Sequence, residues 1–230
     1  MAFSKINGLA VSGIAKVSGT AVANVAKVNG IAKASSGFTL LNSSSAGINA
    51  SGSITGFNAT GADLLVIVLS AYFSPAPSLP TDSQSNTYTL AVNSGGGGVS
   101  RIYYCAAPSV SASMRFDFAG SNIAAAVLAF SGCNTGSPLQ GTSSSIGANK
   151  PGIATSVTDG SLFVDGFNHD ETSSAPTIDS SFTVAQNVLA VGGVYYGMSA
   201  AWRALTPAGS LNPTWTGLAE SCSQAVFNPA

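Results

Sequence analysis

The chain has 230 residues, enough for one good-sized β domain with an arm or for two small domains. Only 7% of residues are charged, against roughly 25% in an average soluble protein, while 45% are apolar, so composition excludes a disordered chain. A net charge of −1 gives no electrostatic basis for nucleic-acid or anionic-membrane binding, and it does little to hold free monomers apart.

The chain opens on three near-copies of an eleven-residue unit, at residues 5–15, 16–26 and 27–37. Lys5, Lys16 and Lys27 fall in register, as do Ile6, Val17 and Val28, and Gly8, Gly19 and Gly30. Such a period marks a small unit that buries its apolar side only against neighbours. An eleven-residue period also suits a right-handed helical supercoil. That alternative fails because every unit carries a Gly, which costs about 1 kcal/mol inside a helix. Asn-Gly and Ser-Gly form turns, and Val and Ile favour extended backbone, so short strands and turns are expected. Three such units cannot build a core of their own. Residues 1–37 are therefore expected to be an anchoring arm whose Ile6, Leu9, Val11, Ile14, Val17, Val22, Val25, Val28 and Ile31 bind a partner.

The start Met1-Ala-Phe-Ser-Lys5 lacks a basic stretch followed by an apolar run, so no secretory signal is expected there. Residues 38–61, rich in Ser, Gly, Asn and Thr, read as a linker feeding the first strands of a globular domain. In that domain, expected over 62–230, runs of strand character alternate with turn clusters. The expected strands are Asp63–Tyr72, Thr87–Val92, Ser100–Ala106, Ser113–Phe118, Ile123–Ser131, Ser161–Asn168, Ser181–Val184, Val188–Tyr196, Ala201–Leu205 and Cys222–Phe227. Met114, Phe116 and Phe118 alternate with Arg115 and Asp117, as on a half-buried strand. Leu64-Leu-Val-Ile-Val-Leu69 is apolar on both faces, marking a central strand covered by a neighbouring sheet or subunit. It is far shorter than the ~20 residues of a membrane helix, so no membrane insertion is expected. Many strands with Gly, Pro and Asn turns and no intervening helices imply an all-β antiparallel β-sandwich in jelly-roll or lectin-like order.

Candidate chemistry is sparse. Gly95-Gly-Gly-Gly98 lacks the Gly-Lys-Ser/Thr ending and following helix of a phosphate loop and reads as a hairpin loop. Asn168-His169-Asp170-Glu171 places the sole histidine beside two carboxylates, a pattern that serves a divalent ion or a general base, but reads better as a solvated turn. No Gly-x-Ser-x-Gly context supports a Ser/His/Asp triad, and no paired carboxylates suggest glycosidase chemistry. Asn42, Asn49 and Asn58 match the glycosylation pattern as accidents of an Asn/Ser-rich stretch. Tyr103, Tyr104, Tyr195, Tyr196, Trp202 and Trp215 could stack on sugar rings, although packing a core is the commoner use of such side chains. Cys105, Cys133 and Cys222 show no metal-ligand spacing and are expected as buried free thiols. No cofactor and no metal are expected.

The Lys-Ile/Val-Asn/Ser-Gly repeats over residues 5–37 resemble N-terminal segments of tailed-bacteriophage virion proteins. Thr81-Asp-Ser-Gln-Ser-Asn-Thr-Tyr88 is similar to a hairpin of phage β-sandwich modules. The third repeat departs from the pattern at Lys33 and Ser36, as a terminal unit would. The resemblance implies a non-enzymatic virion structural protein at one of two locations: a tail fibre or baseplate appendage touching a host-surface glycan, or a capsid decoration protein. Its expected partners are other virion proteins and, in a homotrimer, its own copies. A soluble lectin or carbohydrate-active enzyme is the alternative from another class.

Overall fold

The computed structural model describes residues 37–72, 78–95, 98–120, 122–146, 158–170, 173–179, 181–190, 196–205, 209, 211, 213–217 and 219–230, and the backbone of six dipeptides within residues 1–36. Two compact units result, Met1–Ser36 and Gly37–Ala230.

In the first unit each repeat supplies one antiparallel strand pair. These are β1 (Lys5–Ile6) with β2 (Leu9–Ala10), β3 (Lys16–Val17) with β4 (Thr20–Ala21), and β5 (Lys27–Val28) with β6 (Ile31–Ala32). The register repeats as well: Lys5 pairs with Ala10, Lys16 with Ala21 and Lys27 with Ala32.

The second unit is an all-β antiparallel sandwich, with no helix among the described residues. Its strands are β7 (Thr39–Ile48), β8 (Gly52–Phe57), β9 (Leu64–Tyr72), β10 (Thr81–Asp82), β11 (Thr89–Asn93), β12 (Gly98–Ala106), β13 (Met114–Phe118), β14 (Ile123–Ser131), β15 (Leu139–Ile146), β16 (Leu162–His169), β17 (Thr183–Val188), β18 (Gly197–Ala204) and β19 (Ala219–Phe227). They form a five-stranded sheet β11-β12-β9-β14-β7, a second five-stranded sheet β15-β19-β16-β18-β17, and a three-stranded sheet β10-β13-β8.

The first five-stranded sheet is the middle layer. Leu65, Ile67 and Leu69 of β9 share one core with Ile54, Phe57, Met114, Phe116 and Phe118 of the three-stranded sheet. Leu64, Val66 and Val68 share another with Leu162, Val164, Met198, Ala200, Ala225 and Phe227 of the second sheet. Strand alternation thus sends apolar side chains into two cores, which is why β9 and β14 carry apolar residues on both faces. A third core, around Phe163, Phe167, Trp215, Cys222 and Val226, lies on the far side of the second sheet. Each large side chain so buried contributes roughly 1.5–3 kcal/mol.

Several strand limits differ from the sequence expectation. Residues 38–61, expected to hold a linker and the first strands, contain two strands, β7 and β8; β7 is a sheet edge, where a Ser/Asn-rich strand keeps one side in water. The equally polar edge strand β15 has no apolar alternation to announce it. In place of the expected strand Ser181–Val184, β17 runs over Thr183–Val188; of the expected strand Val188–Tyr196, residues 189–190 and Tyr196 are not in a strand and residues 191–195 lie outside the described residues. A bulge between Val184 and Gln186 shifts the period of two in β17, which divides its pattern when read as sequence.

Candidate interaction surfaces

Five of the nine arm residues singled out from the sequence sit at paired backbone positions. Ile6 pairs with Leu9, Val17 with Thr20, and Val28 with Ile31. Val11, Ile14, Val22 and Val25 lie outside the described residues.

On the globular unit, the three-stranded sheet turns one face to its core and the other to solvent. Register aligns Thr81, Asp117 and Ser53 across β10, β13 and β8. The solvent-facing side carries a groove of about 380 Å³, lined by Ser53, Leu79, Thr81, Arg115, Asp117 and Phe118, among others. Arg115 Nε and Nη2 each approach Asp117 Oδ1 at 2.7 Å, and Ser53 Oγ donates to the same oxygen at 2.6 Å. The Ser53 hydrogen bond, helped by the Arg115 guanidinium, holds the Asp117 carboxyl below its usual range. Leu79, 51% exposed, gives the groove an apolar wall. The groove thus sets the hydrogen-bonding groups of Ser53, Thr81, Arg115 and Asp117 beside the exposed Leu79. Sequence reasoning missed this groove because only strand pairing brings its residues together.

The Asp82 turn organises the edge of this sheet. Asp82 accepts from the Gln84 and Asn86 backbone amides, from Asn86 Nδ2 at 2.8 Å and from the Tyr88 hydroxyl at 2.5 Å. The Asp-Ser-Gln-Ser-Asn-Thr-Tyr stretch is therefore an internally hydrogen-bonded turn that carries the chain into β11.

His169 is not in a solvated turn. It ends β16 with its ring buried, because the strand's alternation places it in line with Phe163, Asp165 and Phe167. Its Nε2 lies 3.2 Å from Ser199 Oγ, and that hydroxyl donates to Asn187 Oδ1. Burial lowers the His169 pKa to about 4, against the opposing pull of a Met198 backbone hydrogen bond and Asp170. A Cβ on Gly197 would lie 2.3 Å from the ring, so this neighbour must be glycine. Asn168, the next residue back, is fully buried with its amide free of protein partners, and Glu171 lies outside the described residues.

Gly95 and Gly98 flank the connection between the paired strands β11 and β12, in keeping with a hairpin loop. The three sequon asparagines hold structure: Asn42 Nδ2 donates to Asn58 O, Asn58 Oδ1 accepts from Thr60 N, and Asn49 Oδ1 accepts from Tyr196 OH. Tyr103, Tyr196 and Trp215 are buried, and Tyr104 and Trp202 pack between the sheets against Phe227 and Phe130; Tyr195 lies outside the described residues. The three thiols are free and buried, as expected, and desolvation pushes Cys133 and Cys222 up to about 12. Among the described residues no three His, Cys, Asp or Glu side chains converge. A scan against family models and searches of curated proteins and solved structures find no match to this chain.

Proposed function

We propose that the protein is a non-enzymatic structural component of a tailed-bacteriophage virion, a tail fibre or baseplate appendage held in place by its N-terminal arm. The observation that carries this reading is the arm: three sequence repeats, each with one strand pair in the same register, in a unit separate from the sandwich. Two-residue strands have almost no core, so units of this kind gain stability by lying against neighbours. The neighbours are other virion proteins and sister chains of a homotrimer, consistent with a chain that carries little charge to hold its copies apart.

The groove on the three-stranded sheet favours the appendage over the capsid-decoration reading. Arg115, Asp117, Ser53 and Thr81 beside Leu79 offer hydrogen bonds and an apolar wall of the kind a host-surface glycan needs. Removing residues 1–36 tests the reading. The truncated protein is expected to be lost from particles while its sandwich melts unchanged; normal incorporation refutes it. Localisation by labelled particle imaging separates the two placements, with label at the tail expected and label spread over the capsid supporting decoration.

A further inference from the structure

The two five-stranded sheets, each drawn from one contiguous half of the sandwich, have the same topology. Numbering strands within each sheet by chain order, both read third-fourth-second-fifth-first: β11-β12-β9-β14-β7 and β17-β18-β16-β19-β15. The registers also correspond. Leu64 lies opposite Ala106 and Phe130, and Leu162 lies opposite Ala204 and Phe227. Bulges fall at equivalent places, at Leu41 and Gln140 in the first strands and at Ala91 and Ala185 in the third. One backbone hydrogen bond recurs beyond the ladders, Ala107 N to Asp63 O and Leu205 N to Ser161 O, both 2.9 Å. Even the outer covers correspond: Asp82, two residues after Pro80, pairs with Phe116, and Ile178, two after Pro176, pairs with Trp215.

The packing between the sheets carries the same symmetry. β12 meets β19 as β18 meets β14, β7 meets β17 as β15 meets β11, and the second strands β9 and β16 meet each other. Tyr104 stacks edge-on to Phe227 at 5.6 Å and 68°; its counterpart Trp202 meets Phe130 at 5.6 Å and 69°. On a twofold axis a residue must face its own equivalent. Val68 and Gly166 are such a pair, and a Cβ on Gly166 would lie 2.7 Å from Val68 Cγ1. Two valines would collide there, and the Val/Gly difference removes the collision.

We infer that the sandwich consists of two copies of one five-stranded unit, fused in tandem about a pseudo-twofold axis, so that the inner face of each sheet is a docking surface whose occupant is the other copy. Each unit alone would leave its apolar inner face in water, and the isologous pairing covers both at once. The inference is independent of the virion reading.

The junction, residues 134–137, is an exposed loop between the units. A specific protease site inserted between Thr135 and Gly136 of the full chain allows cutting after folding. The cut chain is expected to elute as one species, and after unfolding in guanidinium and dilution its fragments should regain the parent near-UV spectrum and co-elution. A circular permutant starting at Gly136, with the arm kept ahead of it and Ala230 joined to Gly37 by a Gly-Ser linker, should fold to the same spectrum. Fragments that part, or that stay unfolded while the uncut variant refolds, overturn the inference. So does a permutant that remains unfolded with linkers of two lengths.

Discussion

Gly166→Ala tests how closely the two large sheets are packed. The added methyl would meet Val68 Cγ1 at 2.7 Å, Ser100 Oγ at 2.8 Å and Ser223 Oγ at 3.0 Å, in the fully buried space between the sheets. Ser100 and Ser223 are tied to each other at 2.6 Å, and the Ser100 backbone amide is bound by Ser94 Oγ at 2.8 Å, so neither serine yields freely. Overpacking of this kind costs about 1–3 kcal/mol. For a domain of this size each kcal/mol lowers the melting temperature by roughly 2–4 °C, which gives an expected fall of about 2–12 °C. Val68→Ala in the same chain removes the nearest obstructing atom, so the double variant should be more stable than the two single costs predict, with a coupling of at least about 0.5 kcal/mol. Urea unfolding of the four proteins measures this cycle, with the slope against denaturant unchanged. A Gly166→Ala cost within experimental error, or strictly additive costs, would refute the packing argument.

His169 should make stability depend on pH. Its folded pKa, about 4, lies below the ordinary 6.5, so the unfolded chain binds the extra proton and stability falls as pH drops from 6.5 towards 4. The full window is worth about 3 kcal/mol, and it should vanish from the pH profile of His169→Gln. Asp165 acts with the opposite sign: complete burial, with Asp179 nearby, raises its pKa well above the usual range despite a hydrogen bond from Gln224. The stability of its neutral form is full below the ordinary carboxylate pKa and is lost as pH rises, so Asp165→Asn should melt higher than the parent at pH 7, with the gain fading in acid. Cys133 and Cys222, buried and with raised pKa values, should resist a thiol reagent at pH 8 until denaturant opens the sandwich.

The sequence was most informative where burial demands apolar residues. β9 and β14 stand between two cores, so runs such as Leu64–Leu69 and Ala124–Phe130 announce themselves. The polar edge strands β7 and β15 do not, since Asn42-Ser-Ser-Ser45 and Gly141-Thr-Ser-Ser144 read as loop until pairing shows them as counterparts. The tandem relation is obscured for a similar reason. Equivalent positions keep their burial rather than their identity, as in Val68 and Gly166 or Tyr104 and Trp202, and only a few, such as Leu64/Leu162 and Phe130/Phe227, keep both. His169 looked like part of a turn because charged neighbours follow it, although the alternation from Phe163 through Phe167 already placed it on the buried face. The arm was legible as a repeat, whereas the groove was not, because Ser53, Thr81 and Asp117 come together only through strand register.

Particle incorporation of the Val17→Asp/Val28→Asp variant tests the central claim most directly. The two valines are the second residues of β3 and β5, equivalent positions in consecutive repeats, and an apolar contact at each is worth about 1.5–3 kcal/mol when fully buried. The account predicts that the variant is absent from purified virions while its sandwich melts at the parent temperature. Incorporation at the parent level, or a sandwich that unfolds along with the altered arm, would contradict it.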